Sequence, residues 1–189
     1  MKIKIEVSAR HVHLTQQDLD QLFGAGYKLT GAKDLSQPGQ FAAVETVTLV
    51  GPKRQLENVR LMGPCRHHSQ VEVAKSDCFF LGSMAPIRLS GKIIGSGAIK
   101  IVGPKGEMEL KEGLIVAKRH IHLNPDQAQH FGVKNGDDVK VSIDGQRGLV
   151  FDEVECRVNE EFDQFMHVDT DEANAAGIDK DGGDGEVIV

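Results

Sequence analysis

One short motif occurs twice in the chain and restricts its possible folds more than any other feature. The segment VSARHVHLTQQDLDQLFG at 7–24 aligns with VAKRHIHLNPDQAQHFG at 116–132. Both read Arg-His-x-His-Leu, then a helix-capping residue, then a segment that ends at Phe-Gly. A weaker repeat relates 48–67 to 100–120, where Val-Gly-Pro-Lys precedes another strand. The repeats predict two related lobes, each with a strand that leads into a short helix.

Short runs of Val, Ile and Leu bounded by Gly, Pro, Asn and Asp predict a mainly β protein. The predicted strands are 2–7, 44–52, 98–104, 113–123, 138–145 and 148–158, with a final strand at the C-terminus. Short helices are predicted at 15–23, 124–131 and 169–178, because the segments end at glycines and the first two begin at capping residues.

Charge and composition exclude several classes of protein. The 189 residues carry a net charge of -6, so no broad cationic face is available for nucleic acid or an anionic membrane. No apolar run could span a bilayer, and MKIKIEVSAR lacks the pattern of a signal peptide, so we expect a cytoplasmic protein. The three cysteines, Cys65, Cys78 and Cys156, are too scattered to predict disulfides or a thiolate zinc site.

The histidine pairs His11/His13 and His120/His122 indicate metal binding. Residues two apart on a strand point to the same side, so both imidazoles of a pair can reach one ion. A single His-x-His is more often two half-exposed strand histidines, but two copies in matching context favour a metal. Each pair leaves a catalytic zinc short of its usual three protein ligands.

Two further residues are candidates for the third ligands. His167 follows an apolar stretch and precedes the predicted helix at 169–178, although a buried structural histidine would give the same pattern. Glu72 alternates with valines in SQVEVAKSD, as an exposed strand glutamate would also do. The sequence leaves both alternatives open.

An anion site is predicted at Arg66, which follows the turn at Gly63 and Pro64 and precedes the strand that carries Glu72. The planar guanidinium suits phosphate, although an arginine after such a turn is often only solvated. His67, His68 and His130 are expected to lie outside the metal sites.

Five segments together resemble the PduL-type phosphotransacylases, also called phosphate propanoyltransferases. These segments are VSARHVHLT, GPCRHHSQVEVAKSDC, APIRLSGKIIGSG, AKRHIHLNP and MHVDTDEANAAG, which span roughly 7–178. The resemblance implies an acyltransferase that reversibly converts acyl-CoA and phosphate to acyl phosphate and CoA, with short acyl groups such as propanoyl or acetyl.

The resemblance also implies a set of site residues. One zinc ion would be held by His11, His13 and Glu72, a second by His120, His122 and His167, and Arg66 would bind phosphate. Contacts to coenzyme A would come from Ser8, Lys33, Arg60 and Asn174. Phe79 would stack on the adenine bound to a neighbouring subunit, which implies a homodimer.

The fold that the resemblance implies is two small β-barrels capped by short helices, with the metal site between them. One barrel would comprise 1–9 plus 118–189 and the other 10–117. Family members packaged in bacterial microcompartments for propanediol degradation carry an N-terminal extension, whereas strand residues begin here almost at Met1. We therefore expect a cytoplasmic protein, with a microcompartment location as the alternative if the extension was removed or docking follows another route.

No serine or cysteine nucleophile flanked by a base is evident, which favours direct attack of phosphate on the thioester over a covalent acyl-enzyme. Two other functions fit the histidine pairs. One is a zinc hydrolase of a thioester or phosphoester, and the other is a metal-binding module without catalysis. Cobalt or iron could bind the same nitrogens in place of zinc.

Overall fold

The computed structural model describes residues 1–189 and is mainly β, as predicted. The strands are β1 Lys2–Ser8, β2 His11–His13, β3 Gly31–Asp34, β4 Phe41–Val50, β5 Gln55–Gly63, β6 Gln70–Val73, β7 Ile87–Arg88, β8 Gly97–Val102, β9 Glu107–Ala117, β10 His120–Leu123, β11 Asp138–Ile143, β12 Leu149–Val158, β13 Phe165–Asp169 and β14 Gly183–Ile188. The helices are α1 Gln16–Phe23, α2 Lys75–Leu81, α3 Pro125–Phe131 and α4 Thr170–Ala176. None of these short helices is long and apolar enough to cross a membrane.

The first compact unit comprises Met1–Ala9, Ser36–Pro38 and Lys118–Val189. Its six strands form a closed barrel in the order β1-β13-β10-β12-β11-β14. Alternate strand residues such as Ile3, Ile5 and Ile121 are fully buried inside it. The N-terminal strand β1 thus belongs to the same sheet as the C-terminal strands.

The second compact unit comprises Arg10–Leu35 and Gly39–Ala117. Strands β4, β5, β2, β6, β9 and β8 pair in that order, and β8 pairs with β4 to close the ring. Strands β3 and β7 extend it by pairing with β4 and β9. Two β-barrels with short helices are therefore confirmed, while the domain boundaries, 1–9 plus 118–189 and 10–117, remain a prediction.

A strand that leads directly into a helix occurs four times, twice in each unit. The four copies are β2–α1, β6–α2, β10–α3 and β13–α4, and each helix is followed by a glycine. The sequence repeat found two of these copies. The other two share the candidate metal ligand two residues before the N-cap, Glu72 before Ala74 and His167 before Asp169. Each barrel is therefore built from two related halves.

Helix α2 was not predicted because Ala74, at its N-cap, has no side chain that can cap a helix. The carboxylate of Asp77 instead accepts a hydrogen bond from the backbone N–H of Ala74, at 3.1 Å. The single strand predicted at 113–123 is also wrong. The chain forms β9 up to Ala117 and begins β10 at His120, and these strands belong to different units.

The two Val-Gly-Pro-Lys turns lie within the second unit and connect β4 to β5 and β8 to β9. A Cβ atom on Gly51 would lie 2.4 Å from the carbonyl oxygen of Leu81, and one on Gly103 would lie 2.6 Å from that of Leu22. Both turns therefore require glycine because the end of a helix packs directly against them. The weaker sequence repeat marks the two halves of one barrel, whereas it was expected to mark the two lobes.

Candidate metal and anion sites

The first cluster, formed by His11, His13 and Glu72, lies on two neighbouring strands of the second unit. Strands β2 and β6 pair antiparallel with His11 opposite Glu72, so the histidine pair and the carboxylate share one face. Oε1 of Glu72 lies 3.6 Å from Nε2 of His11 and 3.9 Å from Nε2 of His13. The three residues are 6%, 3% and 7% exposed, which excludes the solvated alternatives left open by the sequence.

Glu72 is held as a carboxylate. Its Oε1 accepts hydrogen bonds from Nε2 of Gln70 at 2.6 Å and from the hydroxyl of Ser90 at 2.9 Å. Burial alone would raise the pKa of Glu72, but the neighbouring His11 and His13 and the Ser90 hydroxyl hold it well below its usual range. Burial, then His11 and Arg66, lower the pKa of His13. The lowered pKa values favour a neutral His13 imidazole beside an anionic Glu72 carboxylate.

The second cluster, formed by His120, His122 and His167, occupies the corresponding place in the first unit. Strands β10 and β13 pair antiparallel with His120 opposite His167, as His11 is opposite Glu72. The ring centroids are 4.6 Å apart for His120 and His122, 5.2 Å for His120 and His167, and 4.9 Å for His122 and His167. In each cluster the possible ligand atoms all lie within 4.8 Å of one another.

The second cluster has the chemistry of a metal site. Both ring nitrogens of His122 are buried without a hydrogen-bond partner, an arrangement that is costly unless an ion or water satisfies them. Burial, then His120, His167 and Arg157, lower the pKa of His122 to about 2, so its ring is neutral. Nδ1 of His120 lies 2.8 Å from the carbonyl oxygen of Lys118, which can only accept a hydrogen bond. The proton of His120 is therefore on Nδ1, and the Nε2 lone pair is available to a metal.

The two donor sets fit zinc. The first cluster offers two nitrogens and a carboxylate oxygen, and the second offers three nitrogens. Both sets are common for a catalytic zinc ion that keeps an open position. The cysteines are not suited to that role. Burial raises the pKa of Cys156 to about 11, and it also raises the pKa values of the Cys65 and Cys78 thiols. All three are free, and none belongs to either cluster.

Arg66 is hydrogen-bonded into the surroundings of the first cluster. Its guanidinium donates to the Ser90 hydroxyl at 3.0 Å and to Oε1 of Gln40 at 3.2 Å. Ser90 in turn donates to Glu72, so one hydroxyl links the arginine to the candidate metal ligand. The sequence analysis did not identify Gln40, Gln70 or Ser90, although Gln70 and Ser90 lie within the segments GPCRHHSQVEVAKSDC and APIRLSGKIIGSG that carry the family resemblance.

The residues proposed for coenzyme A are distributed over both units. Ser8 ends β1 and Asn174 lies on α4 of the first unit, whereas Lys33, Arg60 and Phe79 lie on β3, β5 and α2 of the second. Arg60 neighbours His11 in the β2–β5 ladder and donates to the carbonyl oxygen of Ala43 at 2.8 Å. Phe79 is 73% exposed.

The three histidines expected to lie outside the metal sites are exposed and belong to neither cluster. His67 and His68 lie on the loop between β5 and β6, and His130 lies on α3. The eight histidines thus divide into five that are gathered into the two clusters and three that face solvent.

Fold and clusters together define a two-barrel protein in which each barrel carries a candidate metal centre. The chain belongs to the phosphate propanoyltransferase family, whose sequence model matches residues 4–179. A phosphate propanoyltransferase of Thermotoga maritima is 54% identical over 92% of this chain and 83% of its own length. Similar enzymes of Lachnoclostridium phytofermentans (56% identity, 93% and 83% coverage) and Salmonella typhimurium (52%, 94% and 84%) carry the same name. The family is one of acyltransferase enzymes.

Proposed function

We propose that this chain transfers a short acyl group, propanoyl or acetyl, between coenzyme A and inorganic phosphate. A phosphate oxygen attacks the thioester carbonyl carbon, a C–O bond forms and the C–S bond breaks. Hydrogen phosphate loses one proton as the C–O bond forms, and the departing thiolate takes up one proton to give the CoA thiol. The products are acyl phosphate and CoA, and the reaction is reversible.

The linkage of Arg66 through Ser90 to Glu72 is the observation that carries this proposal. The substrate phosphate is a dianion, and a planar guanidinium can grip two of its oxygens. Because Ser90 and Gln40 hold Arg66 beside the first cluster, the bound phosphate is oriented before it attacks. The names of the similar enzymes support the choice of phosphate as the anion.

The two clusters are proposed to hold one zinc ion each. Bound zinc would supply Lewis-acid charge for the phosphate, the carbonyl oxygen and the departing sulfur. Glu72 would contribute an anionic ligand that Gln70 and Ser90 orient. His120 would present Nε2 to the metal because the Lys118 carbonyl accepts from Nδ1.

Direct transfer is favoured over a covalent acyl-enzyme. The raised pKa values of the cysteines disfavour thiolate nucleophiles. The Ser90 hydroxyl accepts from Arg66 and Gln70 and donates to Glu72, which suits it to hold these groups in place. Both substrates would then be bound at once.

For coenzyme A we propose contacts with Ser8, Lys33, Arg60 and Asn174. Phe79 is proposed to stack on the adenine from a neighbouring subunit of a homodimer, which its exposed ring supports. The negative net charge supports function without nucleic acid or an anionic membrane surface. We propose a cytoplasmic location, with the lumen of a microcompartment as the alternative.

The proposed reaction is tested by CoA release from propanoyl-CoA, followed as loss of thioester absorbance with and without phosphate. We expect CoA to be released only when phosphate is present. Treatment of the protein with a chelator should abolish this release. Release without phosphate would indicate the hydrolase, and no release under any condition would indicate a metal-binding module. Restoring activity with zinc after chelation controls for irreversible unfolding.

Ser90→Ala is expected to lower phosphate-dependent turnover about 10- to 100-fold, as loss of a partner that orients a ligand usually does. The change removes the hydroxyl that accepts from Arg66 and donates to Glu72. Ser90→Thr keeps a hydroxyl and should retain more activity. The matched control is Ser83→Ala, because the Ser83 hydroxyl in the same unit is buried without a hydrogen-bond partner. Equal rates for Ser90→Ala and Ser83→Ala would contradict the linking role, which steady-state kinetics would reveal.

A further inference from the structure

Two arginines that the proposed reaction does not use form ion pairs next to the clusters. Arg10 holds Asp77 with two hydrogen-bonding contacts, Nε to Oδ2 at 3.0 Å and a terminal guanidinium nitrogen to Oδ1 at 2.9 Å. Arg119 contacts Oε1 of Glu172 at 2.9 Å and donates through Nε to the carbonyl oxygen of Asp152 at 2.7 Å. The Asp77 side chain is only 5% exposed, so its charge depends on the arginine for compensation.

The two pairs occupy the same place in the internal repeat. Each arginine immediately precedes the first histidine of its cluster, and each carboxylate lies five residues after the third ligand, on the first turn of the helix. Arg10 thus connects the start of β2 to the helix that follows β6. Arg119 makes the corresponding connection between β10 and the helix that follows β13.

The other half of the second barrel contains a polar version of the same link. Ser69, immediately before β6, donates to the carboxylate of Asp18 on the first turn of α1 and accepts from the backbone N–H of Thr15. The residue before β6 is therefore hydrogen-bonded to the start of the helix that follows β2. Only the two links that begin at a His-x-His strand use an arginine and a carboxylate.

The ladder that joins the two ligand-bearing strands of each cluster is short. The β2–β6 ladder has three residue pairs, and so has the β10–β13 ladder. In both ladders the first histidine and the third ligand form one of the end pairs. A charge-assisted link across that end limits the separation of the two ligands.

We propose that Arg10–Asp77 and Arg119–Glu172 are positioning pairs, each of which sets the distance between the first histidine and the third ligand of its own metal centre. This inference rests on the proposed metal centres. It predicts that the loss of one pair weakens metal binding at one cluster and leaves the other unchanged. A role limited to overall stability would not produce that selectivity.

The test measures the affinity of the metal-free protein for Co²⁺ by its visible spectrum against a competing chelator. Asp77→Asn and Glu172→Gln remove one charge each and keep an oxygen that can accept from the backbone N–H groups of Ala74 and Asp169. Each affinity is measured with the other cluster disabled. The first cluster is titrated in a His122→Gln background, which removes a ligand of the second, and the second cluster is titrated in a His13→Gln background, which removes a ligand of the first. We expect Asp77→Asn to weaken only the first cluster and Glu172→Gln only the second, by about tenfold.

Matched controls are Lys100→Gln in the second unit and Lys140→Gln in the first. These lysines form exposed ion pairs with Glu107 at 2.8 Å and with Asp152 at 3.2 Å, so both affinities should stay unchanged. In a double-mutant cycle, Arg10→Gln combined with Asp77→Asn should cost no more affinity than the worse single change. The melting temperature of each metal-free variant verifies folding.

The outcomes separate this inference from the proposed function. If the unaltered chain binds two ions and the variants bind them equally well, the positioning role is wrong and the metal centres stand. The role is also wrong if both clusters weaken together as the melting temperature falls. If the unaltered chain binds no metal, the proposed metal centres and this inference fail together.

Discussion

His122→Gln is expected to reduce the bound zinc from two ions to one per chain. Both ring nitrogens of His122 are buried without a hydrogen-bond partner at the centre of the second cluster. Without this ligand the cluster keeps two protein donors, too few for a catalytic zinc site. Phosphate-dependent turnover should fall by more than the roughly 10- to 100-fold that loss of an outer-shell partner costs. Elemental analysis after gel filtration and steady-state kinetics measure the two effects.

Glutamine fills most of the volume of the imidazole, so the ring of Phe162, whose centroid lies 4.1 Å from that of His122, keeps a neighbour. The matched control is His130→Gln, since His130 lies on α3 in the same unit and is exposed. That variant should retain two ions and full turnover. Two bound ions in His122→Gln would show that the three histidines do not form a metal site.

Arg66→Ala is expected to lower phosphate-dependent turnover about 10²- to 10³-fold, which is typical for loss of one preorganised charge-stabilising donor. Zinc content should stay nearly unchanged, because Arg66 is not one of the three candidate ligands of the first cluster and is linked to Glu72 through Ser90. The KM for phosphate should rise as kcat falls if the guanidinium binds phosphate in both the ground state and the transition state. Kinetics with phosphate varied, together with elemental analysis, measure these effects.

Arg66→Lys separates charge from geometry at this position. Lysine keeps the positive charge and loses the planar fork, so the variant should lie between Arg66→Ala and the unaltered enzyme. Arg54→Ala is the control, because Arg54 is exposed in the same unit and contacts the ring of Phe80 at 5.0 Å. Full activity of Arg66→Ala, or an equal loss in Arg54→Ala, would exclude Arg66 as the phosphate ligand.

Local signals predicted a large part of the fold. The capping residues Thr15 and Asn124 bond the backbone of α1 and α3 as expected, and glycine follows each helix. The helix predicted at 169–178 is α4. Helix α2 was not predicted because its N-cap residue is Ala74, whose backbone N–H is bonded by the side chain of Asp77 inside the helix. The sequence predicts one strand at 113–123 because no Gly, Pro, Asn or Asp follows Gly113 within it, whereas the break at Lys118 and Arg119 arises because β9 and β10 belong to different sheets.

Residue patterns identified the candidate ligands and the family resemblance implied their grouping, but the physical cause of that grouping is strand register, which no local pattern predicted. Period-two spacing placed His11 and His13 on one side of a strand, whereas Glu72 is distant along the chain. Pairing of β2 with β6 brings Glu72 opposite His11. The same register, repeated in β10 and β13, also reveals that Glu72 and His167 are equivalent residues of an internal repeat.

The sequence by itself determined the elements whose stabilising contacts lie within a few residues: the His-x-His strands, three of the four helices and the division of the histidines. Tertiary structure decided which distant residues complete each cluster, including Ser90 beside Arg66 and Glu72 and the carboxylates that hold Arg10 and Arg119. The physical reason is range. A helix cap or a strand alternation is fixed by neighbours along the chain, whereas the partners of a buried charge are set by sheet register, which no local pattern encodes.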